Sequence, residues 1–277
     1  MKRDTNHSGD TRSAVILARG LGKRMRKADG SADLPEDQKV MADSGMKGMI
    51  PIGRPFLDYV LAALADAGYT RVCLVIGPEH HAARQHYGET APPRRLTIDF
   101  AIQEKPLGTA DAVLAAERFA GNKPFIVLNS DNYYPPESLS ALRMATPPAI
   151  VGFARSALID FGNVDPQQVT RFGALEIDGE GNLVSITPKS GSALQQSGEI
   201  YASMNCWLFD SRIFDVCRQV PVSPRGELEL PRAVQMAIDT MGMKFSVVRQ
   251  NVPVLDMTSR SDIAAVQRKL EGVNTSY

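Results

Sequence analysis

Ala14 to Met25 reads AVILARGLGKRM and joins an apolar run to two glycines and a knot of cations. Val15, Ile16 and Leu17 have the character of a buried parallel strand. Gly20 and Gly22 free the backbone to turn sharply and to aim N–H groups at one place, which is how a loop makes an anion-binding concavity. Arg19, Lys23, Arg24 and Lys27 add positive charge around it. The ligand that suits this chemistry is a polyphosphate. The loop is not a Walker A motif, because G-x-x-x-x-G-K-[ST] is absent. Nor is it a dinucleotide fingerprint, since the third glycine and the acidic residue after the second strand are missing.

The elements that must position this loop follow from apolar periodicity. Leu57, Val60, Leu61 and Leu64 fall at helical spacing, and Gly68 closes that helix. RVCLVI (71–76), a helix over 80–87, a strand over 96–102, a helix over 106–119 and the strand PFIVL (124–128) complete an alternation of strand and helix. That pattern predicts a Rossmann-like, doubly wound α/β fold with a mostly parallel, mixed sheet and helices on both faces. Ligands of such sheets bind at the carboxyl ends of the strands, so the glycine loop, Gln103 and Asp131 should share one rim. Strands expected at 150–154, 173–177, 183–186 and 200–209 read as a smaller antiparallel extension holding a second ligand, with the hairpin turn Asp178-Gly179-Glu180-Gly181-Asn182 among them. A helix over 231–241, a strand over 245–248, the segment 252–256 and a last helix carrying Ile263, Val266 and Leu270 follow. Residues 1–12 are polar and without period, and read as a flexible tail; residues 13–277 read as a single domain, with 28–46 as a flap or insertion.

Bulk composition narrows the partners. Acidic and basic residues balance at 31 each, so no net field draws the chain to nucleic acid or to an anionic membrane surface. No apolar stretch approaches the ~20 residues of a membrane span, and MKRDTNHSGDTR lacks a signal-peptide core, so the cytoplasm is the expected compartment. Cys73, Cys206 and Cys217 are expected to be unpaired structural thiols. His80, His81 and His86 are expected in surface or helix-start roles.

LARGLGKRM followed by KGMIP resembles the signature of the sugar-1-phosphate nucleotidyltransferases, L-A-G-G-x-G-T-R-[LM] and then P-K-x-[ML]-x-P-[VI]. QEKPLGTADA is similar to the family's nucleobase segment, VLNSD to its metal-binding strand end, RFGALEID to its Y-G hairpin and RGELELP to its R-G-E segment, all in the family's order. The resemblance implies that a sugar 1-phosphate oxygen attacks the α-phosphorus of a nucleoside triphosphate, releasing pyrophosphate. Such a reaction needs positioned cations and dipoles rather than a protein nucleophile. By the same resemblance Arg24 clamps the triphosphate and Lys47 bridges the phosphates of the two substrates. Leu17, Ala18, Arg19, Gly20, Gly22, Gln103, Gly108 and Thr109 are implied to hold the nucleotide. Gly173, Lys189, Glu199 and Asn205 are implied to hold the sugar phosphate. Asp131 and Asp256 are implied to hold Mg²⁺, with Glu229 as the nearer substitute for Asp256. A homo-oligomer would be in keeping with relatives of this size.

Five positions depart from the family pattern: Arg19 and Lys23 stand for glycine and threonine, Met46 for the proline before the lysine, Arg232 for the aspartate after the R-G-E segment, and Lys189 in ITPKS lies one residue off the lysine of the family's E-K-P. Arg232 and the altered E-K-P leave open a second reading, a catalytically weak nucleotide-sugar-binding regulator, and a transferase acting on a non-sugar phosphate is a third.

Overall fold

The strands of the first half are apolar on both faces because the sheet lies between two helical layers. The computed structural model describes residues 11–27, 34–167, 169–187 and 198–277. It begins with β1 (Ser13–Leu17), α1 (Lys23–Arg26), α2 (Glu36–Ser44) and α3 (Phe56–Asp66). Then come β2 (Arg71–Ile76), α4 (His81–Gln85), β3 (Thr97–Ile102), α5 (Thr109–Ala115), α6 (Glu117–Ala120) and β4 (Phe125–Asn129). The middle comprises β5 (Asn132–Tyr133), α7 (Pro136–Arg143), β6 (Ala149–Ala154), α8 (Arg155–Asp160), β7 (Ala174–Ile177), β8 (Leu183–Thr187) and β9 (Tyr201–Phe209). The chain finishes with α9 (Arg212–Gln219), α10 (Leu230–Met241), β10 (Ser246–Gln250), β11 (Leu255–Asp256) and α11 (Arg260–Lys269).

Among the described residues nine strands form one sheet in the order β10-β6-β9-β4-β1-β2-β3, with β7 joined to β9 and β8 to β7. β1 is parallel to both β2 and β4, and β3 is parallel to β2. Their carboxyl ends therefore face one way. Side chains alternate across the sheet: Ala14, Ile16, Val72, Leu74, Ile126 and Leu128 enter one core with Phe56, Leu61 and Leu64 of α3. Val15, Cys73, Val75, Phe125 and Val127 enter the other with α5, α9 and α10. This is the period-2 partition expected of strands covered on both sides.

The antiparallel strands are continuous with this sheet rather than a separate layer. β9 runs antiparallel between β4 and β6, where Trp207 stacks on Phe209 with ring centroids 5.7 Å apart. Only the hairpin β7–β8 extends beyond it. Where one helix was expected over 106–119 there are two short ones, because Gly108 has a positive φ that no helix continues and the chain turns again at Ala116. α7, α8 and α9 were not anticipated. Within 28–46 the described part contains α2, and at the amino end Thr11 is buried while the Arg12 carbonyl accepts the N–H groups of Thr70 and Arg71.

All three cysteines are buried and unpaired, and burial pushes the thiols of Cys73 and Cys217 up to about 12. Among the described residues no helix is long and apolar enough to cross a membrane.

Ile16 is fully buried in the strand that delivers the glycine loop. Ile16→Ala should destabilise the chain by about 2–5 kcal/mol, from lost transfer energy and the cavity left behind. The check is a lower urea midpoint with an unchanged m-value.

Candidate active site

Two cavities open along the carboxyl rim of the sheet. The larger, about 460 Å³, lies between the turn 17–24 after β1, Gln103 after β3 and the residues Asn129, Ser130 and Asp131 after β4. Lys47 lines it as well, and Arg225 and Glu227 face it from the segment before α10. The smaller, about 230 Å³, is lined by Asn132, Asn163, Phe172, Asn205 and Asp256 among others. Arg24, Asn129, Asp131 and Thr258 line both, so the two spaces meet at one wall.

The glycine loop is shaped by a close approach. Gly22 has φ 57°, and a Cβ there would sit 2.6 Å from the carbonyl oxygen of Gly45, at the end of α2. Arg260, at the start of α11, locks the same corner: its Nε donates to the Met25 carbonyl at 2.9 Å and its guanidinium pairs with Asp43 of α2. Arg24 lines both cavities, and its guanidinium has no partner among the described residues. Arg19 is spoken for. It donates to the Gln103 carbonyl and to the Glu79 carboxylate at 3.3 Å, which turns it into a brace between the loop and the ends of β2 and β3.

Gln103 itself is buried, and its amide nitrogen donates to the Gly108 carbonyl at 3.0 Å and to Asp111 Oδ2 at 2.7 Å. Gly108 has φ 125°, a conformation that strains any residue with a side chain, and a Cβ there would lie 2.5 Å from the Leu228 carbonyl oxygen. Its glycine is required by the docking of the segment before α10. Thr109 serves that same junction, accepting the Leu230 N–H at 2.8 Å and so capping the start of α10.

Charge concentrates where the cavities meet. Lys47 Nζ donates to Asp131 Oδ2 at 2.8 Å, with both side chains largely buried. Asp131 is linked to the last strand pair: β5 and β11 are antiparallel, Asp256 faces Asn132, and the Met257 N–H donates to the Asp131 carbonyl at 2.9 Å. Burial, then the charge of Asp131, pushes the Asp256 carboxyl up to about 7 against the pull of Thr258 and Lys47. The Asn132 amide donates to Asp256 Oδ1 at 2.9 Å. Asn163 grips the backbone of Asp256 on its other side, accepting its N–H at 2.8 Å and donating to its carbonyl at 2.7 Å. A side-chain amide thus takes the place of a neighbouring strand.

Asp131 and Asp256 are the two carboxylates at this wall that could hold a metal. Among the described residues no three His, Cys, Asp or Glu cluster as a complete cage. A pair of carboxylates crowded enough to raise one pKa suits a hard divalent cation that takes its remaining oxygens from phosphate and water.

Leu17, Ala18, Arg19, Gly20, Gly22, Gln103, Gly108, Thr109, Arg24, Lys47 and Asp131 all line the larger cavity, and Asn205 and Asp256 the smaller. Asn205 has φ 56°, a left-handed conformation that asparagine tolerates better than most side chains, at the place where the β6–β9 register shifts. Gly173 and Glu199 line neither cavity. The Gly173 carbonyl is used by the Ser203 N–H, and the Glu199 carboxylate binds the Ser156 hydroxyl at 2.7 Å. Lys189 lies outside the described residues. Glu229 is held by Arg225 at 2.9 Å and lines neither cavity. Arg232 donates to the Val222 carbonyl and also stands apart from both, so arginine at that position leaves the Asp131–Asp256 pair intact.

Sequence reasoning missed Asn163, Phe172, Thr258, Arg225 and Glu227. The last two sit in the RGELELP stretch, whose presence was a usable signal; nothing local marked Asn163. Asn163→Ala leaves the Asp256 N–H and carbonyl without that partner and should cost about 1–3 kcal/mol. Thermal and denaturant unfolding of the full chain measure the loss.

A family model described as Nucleotidyl transferase matches residues 41–271. The low-salt glycan biosynthesis nucleotidyltransferase of Haloferax volcanii is 26% identical over 226 residues, covering 81% of this chain and 57% of that protein. The chain therefore spans little more than half the length of that relative. A glucose-1-phosphate thymidylyltransferase of Neisseria gonorrhoeae is 24% identical over 250 residues, covering 90% of this chain and 79% of the relative. Among solved structures, a UDP-glucose pyrophosphorylase complexed with UDP-glucose superposes with a TM-score of 0.72 at 15% identity, covering 95% of this chain and 100% of the other. At that identity the likeness is one of fold.

Proposed function

The chain belongs to the nucleotidyl transferase family, and from that premise we propose that it transfers a nucleotidyl group from a nucleoside triphosphate to a sugar 1-phosphate, releasing pyrophosphate. The observation that carries this reading is the shared wall of Arg24, Asn129, Asp131 and Thr258 between two cavities. Two anionic substrates placed one in each cavity would bring their phosphates together at that wall. The larger space suits a nucleotide and the smaller a monosaccharide, as the relatives' substrates, glucose 1-phosphate and UDP-glucose, illustrate.

The chain's own groups do the work that in-line transfer needs. Arg24, which lines both cavities, offers a fork of N–H donors that can hold two phosphate oxygens at once. Lys47 brings a point charge to the same place, and its pairing with Asp131 keeps the ammonium from folding away into solvent. Gln103, fixed by Gly108 and Asp111, presents a polar edge to the base. Asp131 and Asp256 are the residues to hold Mg²⁺, which would neutralise charge building on the transferred phosphoryl oxygens. Asn132 and Asn163 keep Asp256 aimed at that point.

The test is pyrophosphate release by the purified chain with Mg²⁺, across five nucleoside triphosphates and a panel of sugar 1-phosphates. At least one pairing should turn over; silence across the whole panel would sink the reading. In the active pairing Asp131→Asn and Lys47→Ala should each lower kcat on the order of 10²–10³-fold, with nucleotide KM changed far less. A regulator that only binds nucleotide sugar would instead keep its affinity in Asp131→Asn and show no turnover to lose.

A further inference from the structure

The orientation of one buried amide carries information about the base. Gln103 leaves the end of β3 with its side chain buried, and both hydrogens of its amide nitrogen are committed, one to the Gly108 carbonyl and one to Asp111 Oδ2. Turning the amide over would set its oxygen against two acceptors, one of them a carboxylate, and would forfeit both bonds. Gln103 therefore has one allowed orientation. Its Oε1 takes no hydrogen bond from the described residues and is not sealed in the interior, and Gln103 lines the larger cavity, so this oxygen is the acceptor the side chain has left to offer there. Asp111, in the first turn of α5, is the residue that enforces this, since the Gly108 carbonyl alone would leave one amide hydrogen uncommitted.

We infer that Asp111 is a specificity-determining residue acting through Gln103, and that the site takes nucleoside triphosphates whose base carries a ring N–H on its pairing edge. Uracil, thymine and guanine have that imide-type hydrogen. Cytosine and adenine carry a lone pair in its place, and reach an acceptor only through the exocyclic amine one position away. The selection follows from mismatch: an acceptor facing an acceptor in a buried site leaves both unpaired, while the matched base completes a hydrogen bond. The inference rests on the nucleotidyl-transfer reading and goes beyond it by naming the class of base and the residue that sets it. Asp111 is a positioning residue, because it touches Gln103 and not the nucleotide.

The experiment is direct binding by calorimetry of UTP, TTP, GTP, CTP and ATP to the full wild-type chain and to Asp111→Ala, in Mg²⁺ and without a sugar phosphate. The wild type should bind at least one of UTP, TTP and GTP about 10- to 100-fold more tightly than either CTP or ATP. In Asp111→Ala that gap should shrink to about 3-fold or less, with the unfolding temperature close to that of the wild type and, in the active pairing, a raised KM with kcat nearly unchanged. Asp111→Asn keeps the shape of the side chain and lets its amide face Gln103 either way round; it should narrow the gap too, and it serves if the alanine variant does not fold. A wild type that prefers CTP or ATP, or variants that keep the full gap, would overturn the inference while leaving nucleotidyl transfer standing. Equal weakening toward all five triphosphates would mark Asp111 as a merely structural residue and overturn it as well. Binding of no triphosphate at all removes the transfer reading itself, and this inference with it.

Discussion

The ion pair between Lys47 and Asp131 is the interaction on which the rest of the site depends. A cation and a carboxylate stand 2.8 Å apart where the two cavities join. Neither group would hold its place alone. The lysine lies on a tight turn after α2, the aspartate just beyond β4, and each keeps the other from an uncompensated position in a partly dry wall. Asp256 then arrives from the far end of the chain, pinned by two asparagines, and its carboxyl is pushed up by burial and by the nearby charge of Asp131.

Everything upstream of that pair is a matter of alignment. Parallel pairing of β1 with β2 and β4, and of β2 with β3, brings residues 17, 103 and 129 to one edge. The loops beyond that edge are stabilised by one another. Arg19 ties the first loop to the third strand, Gly108 fits against Leu228 because it has no side chain, and Thr109 caps a helix more than a hundred residues away. Gly108 and Thr109 thus assemble the rim.

The sheet was legible in the sequence because buried parallel strands are written as unbroken apolar runs, and RVCLVI and PFIVL have few other readings. The glycine loop, Gln103 and Asp131 were legible because each follows such a run. Helix α9 carries Ile213, Phe214, Val216 and Cys217 on one buried stripe and went unread beside stronger strand signals; α7 and α8 are short, with too few apolar positions to establish a period. Asn163 was invisible for a different reason. Its partner is a backbone ninety-three positions away, and no local pattern encodes a contact made by a single amide in a loop. Gly173 and Glu199 stand outside both cavities, and the hydrogen bonds they make go to Ser203 and Ser156. The left-handed φ of Asn205 was not legible either, because nothing local in YASMNCWLF marks a strand that breaks its register there.

The short stretch from Asp256 to Arg260 supplies a carboxylate to the smaller cavity, Thr258 to both, and a guanidinium that clamps the glycine loop to α2. It is anchored by the box in which Ser259 and Asp262 cap α11. A single strap therefore bears on both cavities at once. Fraying of α11 would not trim away a dispensable tail; it would loosen the lining of one cavity and the frame around the other in the same event. The two sites are fastened by a common buckle, and their integrity rises and falls together.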